Sequence, residues 1–135
     1  MQELTLEATR EHLGDALAFL EAKLEAMDCP LRAQMQISVA ADELLSNIVN
    51  YAYPDKAGTF TLRVEAADDP PGAVLTFSDE GIPYDPLSQA EPDVSLPAEE
   101  RAIGGLGIFL VRKTMDEVAY RYEDGKNILR IRKDF

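Results

Sequence analysis

One stretch near the middle of the chain decides the fold: Asp42-Glu43-Leu44-Leu45-Ser46-Asn47-Ile48-Val49-Asn50-Tyr51-Ala52-Tyr53. Its apolar residues recur at helical spacing, which predicts a long helix ending before Pro54. Glu43, Asn47 and Asn50 lie at i, i+4 and i+7, beside the apolar stripe. A carboxylate and an amide oxygen one turn apart suit Mg²⁺, and an ordinary solvated helix edge is the alternative interpretation.

A second polar group, Asp79-Glu80-Gly81, directly follows an apolar strand that includes Ala73 to Phe77. A carboxylate at a strand end can accept a hydrogen bond from an exocyclic amino group. A glycine two residues later allows a ligand ring to approach the backbone. These residues therefore suit adenine, although Asp and Gly also form plain turns.

A third group, Gly104-Gly105-Leu106-Gly107, opens a short apolar segment that we predict to be a helix ending near Met115. Glycines at a helix start let several backbone N–H groups point at one anion, and the helix dipole favours phosphate there. The spacing matches neither a Walker A loop nor the dinucleotide-binding glycine pattern. The segment is a candidate phosphate site of another kind.

The remaining patterns predict an α+β fold. Alternating segments predict an N-terminal strand, two strands before Asp79 and a C-terminal hairpin turning at Asp124-Gly125. Helices are predicted over Leu13 to Met27 and in the two segments above, and residues 80–103 are predicted to be a long, lid-like loop. We expect a two-layer sandwich: a mixed, mainly antiparallel sheet with helices on one face.

Composition limits the classes of function. A chain of 135 residues with 46% hydrophobic residues fits one domain spanning 1–135. Its net charge of −12 opposes direct binding to nucleic acid or to an anionic membrane surface. Cys29 is the only cysteine, and the N-terminus resembles no signal peptide, so we expect a cytoplasmic protein.

The order of these groups resembles the Bergerat-type, or GHKL, ATP-binding fold of histidine kinases and gyrase-type ATPases. Within it, the chain is most similar to the bacterial anti-sigma-factor serine/threonine kinases. The similarity covers nearly the whole chain. It is carried by residues 42–53, 79–81, 104–111 and 115–118.

The resemblance implies a role for each residue and implies ATP and Mg²⁺ as cofactors. Asn47 would ligate Mg²⁺, and Glu43 would be the general base. Asp79 would bind the adenine amino group, and Gly81 would line the base pocket. The phosphate side of the ATP site would comprise Gly105, Leu106 and Gly107, with Arg101 as a further candidate.

The leading hypothesis is a Mg-ATP-dependent protein serine/threonine kinase that phosphorylates a STAS-type anti-sigma-factor antagonist and sequesters a sigma factor. Family likeness also implies a homodimer. The alternative is a nucleotide-dependent binding switch in which ATP orders the lid without phosphoryl transfer. A scaffold with a vestigial nucleotide site is disfavoured because all three groups of residues are present together.

Overall fold

A computed structural model describes residues 2–88 and 105–135. Within these ranges, three α-helices and five strands form an α+β fold, as predicted from the sequence. The helices are α1 (Leu13–Ala26), α2 (Leu31–Asn47) and α3 (Gly105–Thr114). The strands are β1 (Gln2–Glu7), β2 (Thr59–Asp68), β3 (Pro71–Asp79), β4 (Glu117–Glu123) and β5 (Lys126–Asp134).

The strands form one sheet in the order β1-β2-β3-β5-β4. All four pairings between the described strands are antiparallel, so the sheet is not mixed. The β3–β5 register sets Asp79 opposite Asn127 and Gly72 opposite Asp134. The end of β3 that carries Asp79 is therefore adjacent to the start of β5.

One face of the sheet and the inner faces of the three helices share a single buried core. Alternate residues of β2 and β3 point into it, which matches the period-2 patterns of the sequence. The opposite face of the sheet carries polar residues such as Thr61 and Arg63. The helices thus cover one face, as expected for a two-layer sandwich.

The end of α2 differs from a plain helix. After Asn47 the chain widens into a π-helical turn over Ile48–Ala52, where the sequence predicts a continuous α-helix. Such turns are frequent at functional sites. Ile82 donates its N–H to the Ala52 carbonyl at 2.9 Å, so this turn also holds the segment that follows β3.

The predicted hairpin turn is confirmed, because Asp124 and Gly125 have φ angles of 53° and 78°. The predicted loop over residues 80–103 is described as far as Ser88, with a short 3₁₀ turn at Pro86–Ser88. Arg101 and Gly104 lie outside the described residues, as do the side chains at 105 and 106. No helix within the described ranges is long and apolar enough to cross a membrane.

Candidate nucleotide-binding site

A cavity lies between the end of α2 and the end of the sheet where β3 finishes and β5 begins. Its walls come from α2 and its π-helical turn, from the segment after β3, and from β3, β4 and β5. They are mainly apolar and include a few polar side chains, the usual composition of a small-molecule site. The lining residues are Leu44, Asn47, Ile48, Ala52, Phe77, Asp79, Ile82, Tyr84, Pro86, Tyr120, Asn127 and Leu129.

Asp79 is the acidic group of this cavity and is 7% exposed. Its Oδ1 accepts hydrogen bonds from the Gly81 N–H at 2.8 Å and from Asn127 Nδ2 at 2.9 Å. Burial raises the pKa of the Asp79 carboxyl, and these two hydrogen bonds lower it in part. Within the described part of the chain, Oδ2 accepts no hydrogen bond and is not sealed from solvent. Asp79 therefore offers one free acceptor to a ligand.

Asn127 is a functional candidate that the sequence analysis did not identify. Its Nδ2 donates to Asp79 Oδ1 and, at 2.8 Å, to the carbonyl of Ile82. Its Oδ1 accepts from the Tyr84 N–H at 3.0 Å and from the Tyr120 hydroxyl. These bonds fix both Asp79 and the segment that follows β3. The sequence signal was an asparagine in phase with Leu129 and Ile131, which points a polar side chain into the core.

Gly81 follows Asp79 by two residues and packs against the backbone of Ala52. A Cβ at this position would overlap the Ala52 carbonyl. The absence of a side chain therefore lets the π-helical turn approach the end of β3. Gly81 supports the candidate base pocket through its N–H bond to Asp79.

Glu43 lies one turn before Asn47 on α2, and its side chain is half-buried. Its carboxylate occupies the space above Gly107, in the first turn of α3, where any side chain would collide with it. Burial raises the pKa of the Glu43 carboxyl, and the adjacent Asp42 raises it further. The tertiary structure thus places the Glu43 carboxylate, with its raised pKa, beside the glycine-rich start of α3.

Asn47 is half-buried and lines the cavity, whereas Asn50 is exposed. Asn50 Oδ1 accepts a 3.4 Å hydrogen bond from Arg10 and does not line the cavity. No group of three or more acidic, His or Cys side chains in residues 2–88 and 105–135 could hold a metal by itself. The Asn47 amide oxygen fits a magnesium ion that is bound mainly by nucleotide phosphates.

The start of α3 completes the site on the side of Glu43. Gly105 and Leu106 are the first two residues of the helix, and Gly107 follows them. The N–H groups of a first helical turn lack partners within the helix, and the dipole there favours an anion. Ile108 and Val111 are buried and anchor this helix in the core.

Tyr84 and Tyr120 line the cavity, and no role was predicted for them from the sequence. The rings of Tyr51 and Tyr84 are 6.1 Å apart between centroids. Burial raises the pKa of Tyr84, and Tyr51 and Glu43 contribute to the same shift. The Tyr53 hydroxyl donates to the Thr59 carbonyl at 2.6 Å and accepts from the Glu80 N–H at 2.8 Å. Tyr53 therefore ties the segment after β3 to the start of β2.

Comparison with known proteins places this geometry in a family. Residues 6–133 match the model of the histidine kinase-like ATPase domain. The serine/threonine-protein kinase BtrW of Bordetella bronchiseptica is 30% identical over 129 residues, which cover 93% of this chain and 88% of BtrW. The serine-protein kinase RsbW of Halalkalibacterium halodurans is 28% identical, over 91% of this chain and 76% of its own length.

Other matches cover less of the relative. RsbW of Bacillus cereus is 27% identical over 97 residues, or 69% of this chain and 59% of RsbW. Among solved structures, the histidine kinase domain of the blue-light activated kinase EL346 from Erythrobacter litoralis has a TM-score of 0.57 at 16% identity. The match covers 90% of this chain and 60% of that domain, and it supports the fold alone. The family model spans most of the chain, and BtrW is similar over nearly the same length: this chain belongs to the histidine kinase-like ATPase domain family.

Proposed function

We propose that this protein is an anti-sigma regulatory factor with Mg-ATP-dependent protein serine/threonine kinase activity. The observation that carries the proposal is the position of Glu43. Its carboxylate lies against Gly107 at the start of α3 and one helical turn from Asn47, which lines the cavity. The kinase names of BtrW and RsbW favour the same activity.

In this proposal the adenine base occupies the cavity that Asp79 lines. Asp79 Oδ2 accepts a hydrogen bond from the exocyclic amino group, while Asn127 and Gly81 hold Oδ1 in place. The phosphates extend toward the first turn of α3, where Gly105, Leu106 and Gly107 expose backbone N–H groups. Asn47 lines the same cavity, and its amide oxygen would hold Mg²⁺ together with the phosphates.

Glu43 acts as the general base. Its carboxylate accepts the proton of a serine or threonine hydroxyl as the hydroxyl oxygen bonds to the γ-phosphorus. The bond between that phosphorus and the oxygen bridging to the β-phosphate breaks, and ADP leaves. Bound Mg²⁺ supplies charge neutralisation on the transferring group. The raised pKa of Glu43 makes its carboxylate a stronger base than a solvated one.

The proposed phosphoacceptor is a STAS-type anti-sigma-factor antagonist, and the proposed sequestered partner is a sigma factor. The names of the relatives support the kinase class, and the partners follow from the resemblance to anti-sigma-factor kinases. We also propose a homodimer and a cytoplasmic location. The buried free thiol of Cys29 is compatible with a reducing compartment.

The test is transfer of the γ-phosphoryl group from radiolabelled ATP to a purified antagonist protein, comparing wild type with Glu43→Gln and Glu43→Ala. Glutamine keeps the shape beside Gly107 but cannot accept the proton. We expect transfer to fall at least about a hundredfold, with the ATP dissociation constant nearly unchanged by calorimetry. Asn47→Ala should instead weaken Mg-ATP binding.

Glu21→Gln is the matched control, because Glu21 is an exposed carboxylate on α1. It should transfer label at the wild-type rate. Tight ATP binding without transfer by wild type would contradict the kinase proposal and favour a nucleotide-dependent binding switch. Equal transfer by wild type and both Glu43 variants would contradict the role of Glu43 as base.

A further inference from the structure

The outer face of α2 carries an unusual row of exposed apolar side chains. Leu31, Met35 and Val39 are 71%, 63% and 60% exposed. They lie at i, i+4 and i+8, so they form one continuous stripe along the helix. The inner face of α2, which includes Ile37 and Leu44, packs into the core. The stripe is therefore not the core-facing side of this helix.

The stripe leads directly to the proposed catalytic base. Glu43 is four residues after Val39 and continues the same i, i+4 row. Beyond Glu43, α3 adds Leu110, which is 42% exposed and lies one turn after Gly107. Along the helix axis, Val39 is about 6 Å from Glu43, Met35 about 12 Å and Leu31 about 18 Å. An apolar surface and the proposed base thus lie on one side of the molecule.

We propose that the stripe formed by Leu31, Met35 and Val39 is the docking surface for the protein that donates the hydroxyl. This inference rests on the proposed kinase activity and adds the site of substrate recognition. A specific protein interface covers about 800 Å² on each partner, which as a disc has a radius of about 16 Å. An interface of this radius centred on Glu43 covers Val39 and Met35, and Leu31 lies about 2 Å beyond its edge.

The chemistry of the stripe suits such a partner. The chain has a net charge of −12, so its surface as a whole attracts basic partners only. Three neighbouring apolar side chains provide an attraction that does not depend on charge. A second copy of this chain on the same surface would cover Glu43 and block access of a hydroxyl to it. Of the proposed partners, only the phosphoacceptor must bring a hydroxyl to Glu43, whereas the sigma factor need not approach it. The phosphoacceptor is therefore the occupant that fits both the stripe and the site.

The test uses the double variant Met35→Gln/Val39→Gln and the STAS-type antagonist encoded in the same genome. Glutamine is a good helix former, and both positions are exposed, so α2 should remain folded. We expect the KM for the antagonist to rise about tenfold or more. The KM and dissociation constant for ATP should stay at the wild-type values, because neither residue lines the nucleotide cavity.

Phe135→Gln is the matched control, since Phe135 is 38% exposed at the end of the sheet opposite Asp79. Its KM for the antagonist should equal that of wild type. An unchanged antagonist KM in the folded double variant would overturn the docking proposal and leave the kinase proposal standing. Absence of transfer by wild type would overturn both. A change from dimer to monomer with an unchanged KM would show that a second copy covers the stripe, and would also overturn the proposal.

Discussion

At the scale of single residues, Asp79 combines a structural cost with a proposed binding function. Its carboxyl group is almost fully buried, and burial raises its pKa. Both hydrogen bonds from Gly81 and Asn127 end on Oδ1, which leaves Oδ2 available to a ligand. Because burial opposes the charged form of this carboxyl group, Asp79 weakens folding at neutral pH, and its presence is better explained by ligand binding than by stability.

We predict that Asp79→Asn weakens ATP binding while raising stability at neutral pH. The amide oxygen can still accept both hydrogen bonds, whereas the NH₂ group replaces Oδ2 and presents a donor to the adenine amino group. The binding free energy for ATP should fall by about 2–3 kcal/mol, which raises the ATP dissociation constant roughly 30- to 150-fold. Isothermal titration calorimetry of both proteins measures it.

The stability part of this prediction depends on pH. Because the folded-state pKa of Asp79 is above the unfolded value of about 3.9, the folded protein holds this proton more tightly. Its contribution to stability is fully present below that value and is lost as pH rises through the folded pKa. In thermal unfolding, the melting temperature of Asp79→Asn should be higher than that of wild type at pH 7. The difference between the two melting temperatures should shrink toward pH 4. A variant less stable than wild type at pH 7 would contradict this explanation.

At the scale of elements, two glycines allow two junctions to close. Gly81 lets the end of β3 pack against the backbone of Ala52 in the π-helical turn. Gly107 lets α3 pack against the side chain of Glu43 on α2. The neighbour is rigid backbone in the first case and the end of a flexible side chain in the second. Adding the same methyl group should therefore have different consequences.

We predict that Gly81→Ala mainly lowers stability and that Gly107→Ala mainly lowers activity. The first should lower the free energy of unfolding by about 2–3 kcal/mol, because the backbone of Ala52 must move. The second should displace the Glu43 carboxylate at a smaller cost in stability and reduce phosphoryl transfer at least about tenfold. Urea unfolding and transfer assays on both variants test the contrast. Gly14→Ala is the control, since a Cβ there meets no neighbouring atom. A similar decrease in the free energy of unfolding for Gly81→Ala and Gly107→Ala would contradict the prediction.

At the scale of the whole molecule, charge is the dominant feature. Asp and Glu outnumber Lys and Arg by 25 to 13, and the ion pairs among the described residues include the exposed pair Arg63–Glu3. A surplus of one sign destabilises the compact state through self-repulsion. Salt screens such repulsion, because the Debye length falls to about 8 Å at physiological ionic strength.

We therefore predict that the melting temperature rises with sodium chloride. Raising the concentration from 20 to 200 mM should increase it by about 3 °C in nucleotide-free buffer. Glu25→Lys changes the formal net charge from −12 to −10, because it replaces an exposed negative charge with a positive one. The melting temperature of this variant should therefore rise less with salt than that of wild type. Differential scanning fluorimetry of both proteins provides the test. A melting temperature that falls or stays constant with salt would contradict the prediction.

The sequence by itself determined the elements and the outer limits of the candidate site. Helical and alternating spacings predicted α1, α2, α3 and the strands, because these periodicities depend on which face of an element is buried. Glu43, Asn47, Asp79 and the glycines were identified because their chemistry is visible in short segments. Their roles in binding and catalysis remain predictions that the experiments above address.

Only the tertiary structure decided how these segments meet. The sheet is antiparallel throughout its described pairings, which local patterns could not distinguish from a mixed sheet. Asn127 meets Asp79 across 48 positions of sequence, and Glu43 meets Gly107 between two helices. The widening of α2 at Ile48–Ala52 was likewise invisible. The physical reason is that strand register and side-chain packing are set by contacts between distant segments, whereas periodicity records only the local division between buried and exposed faces.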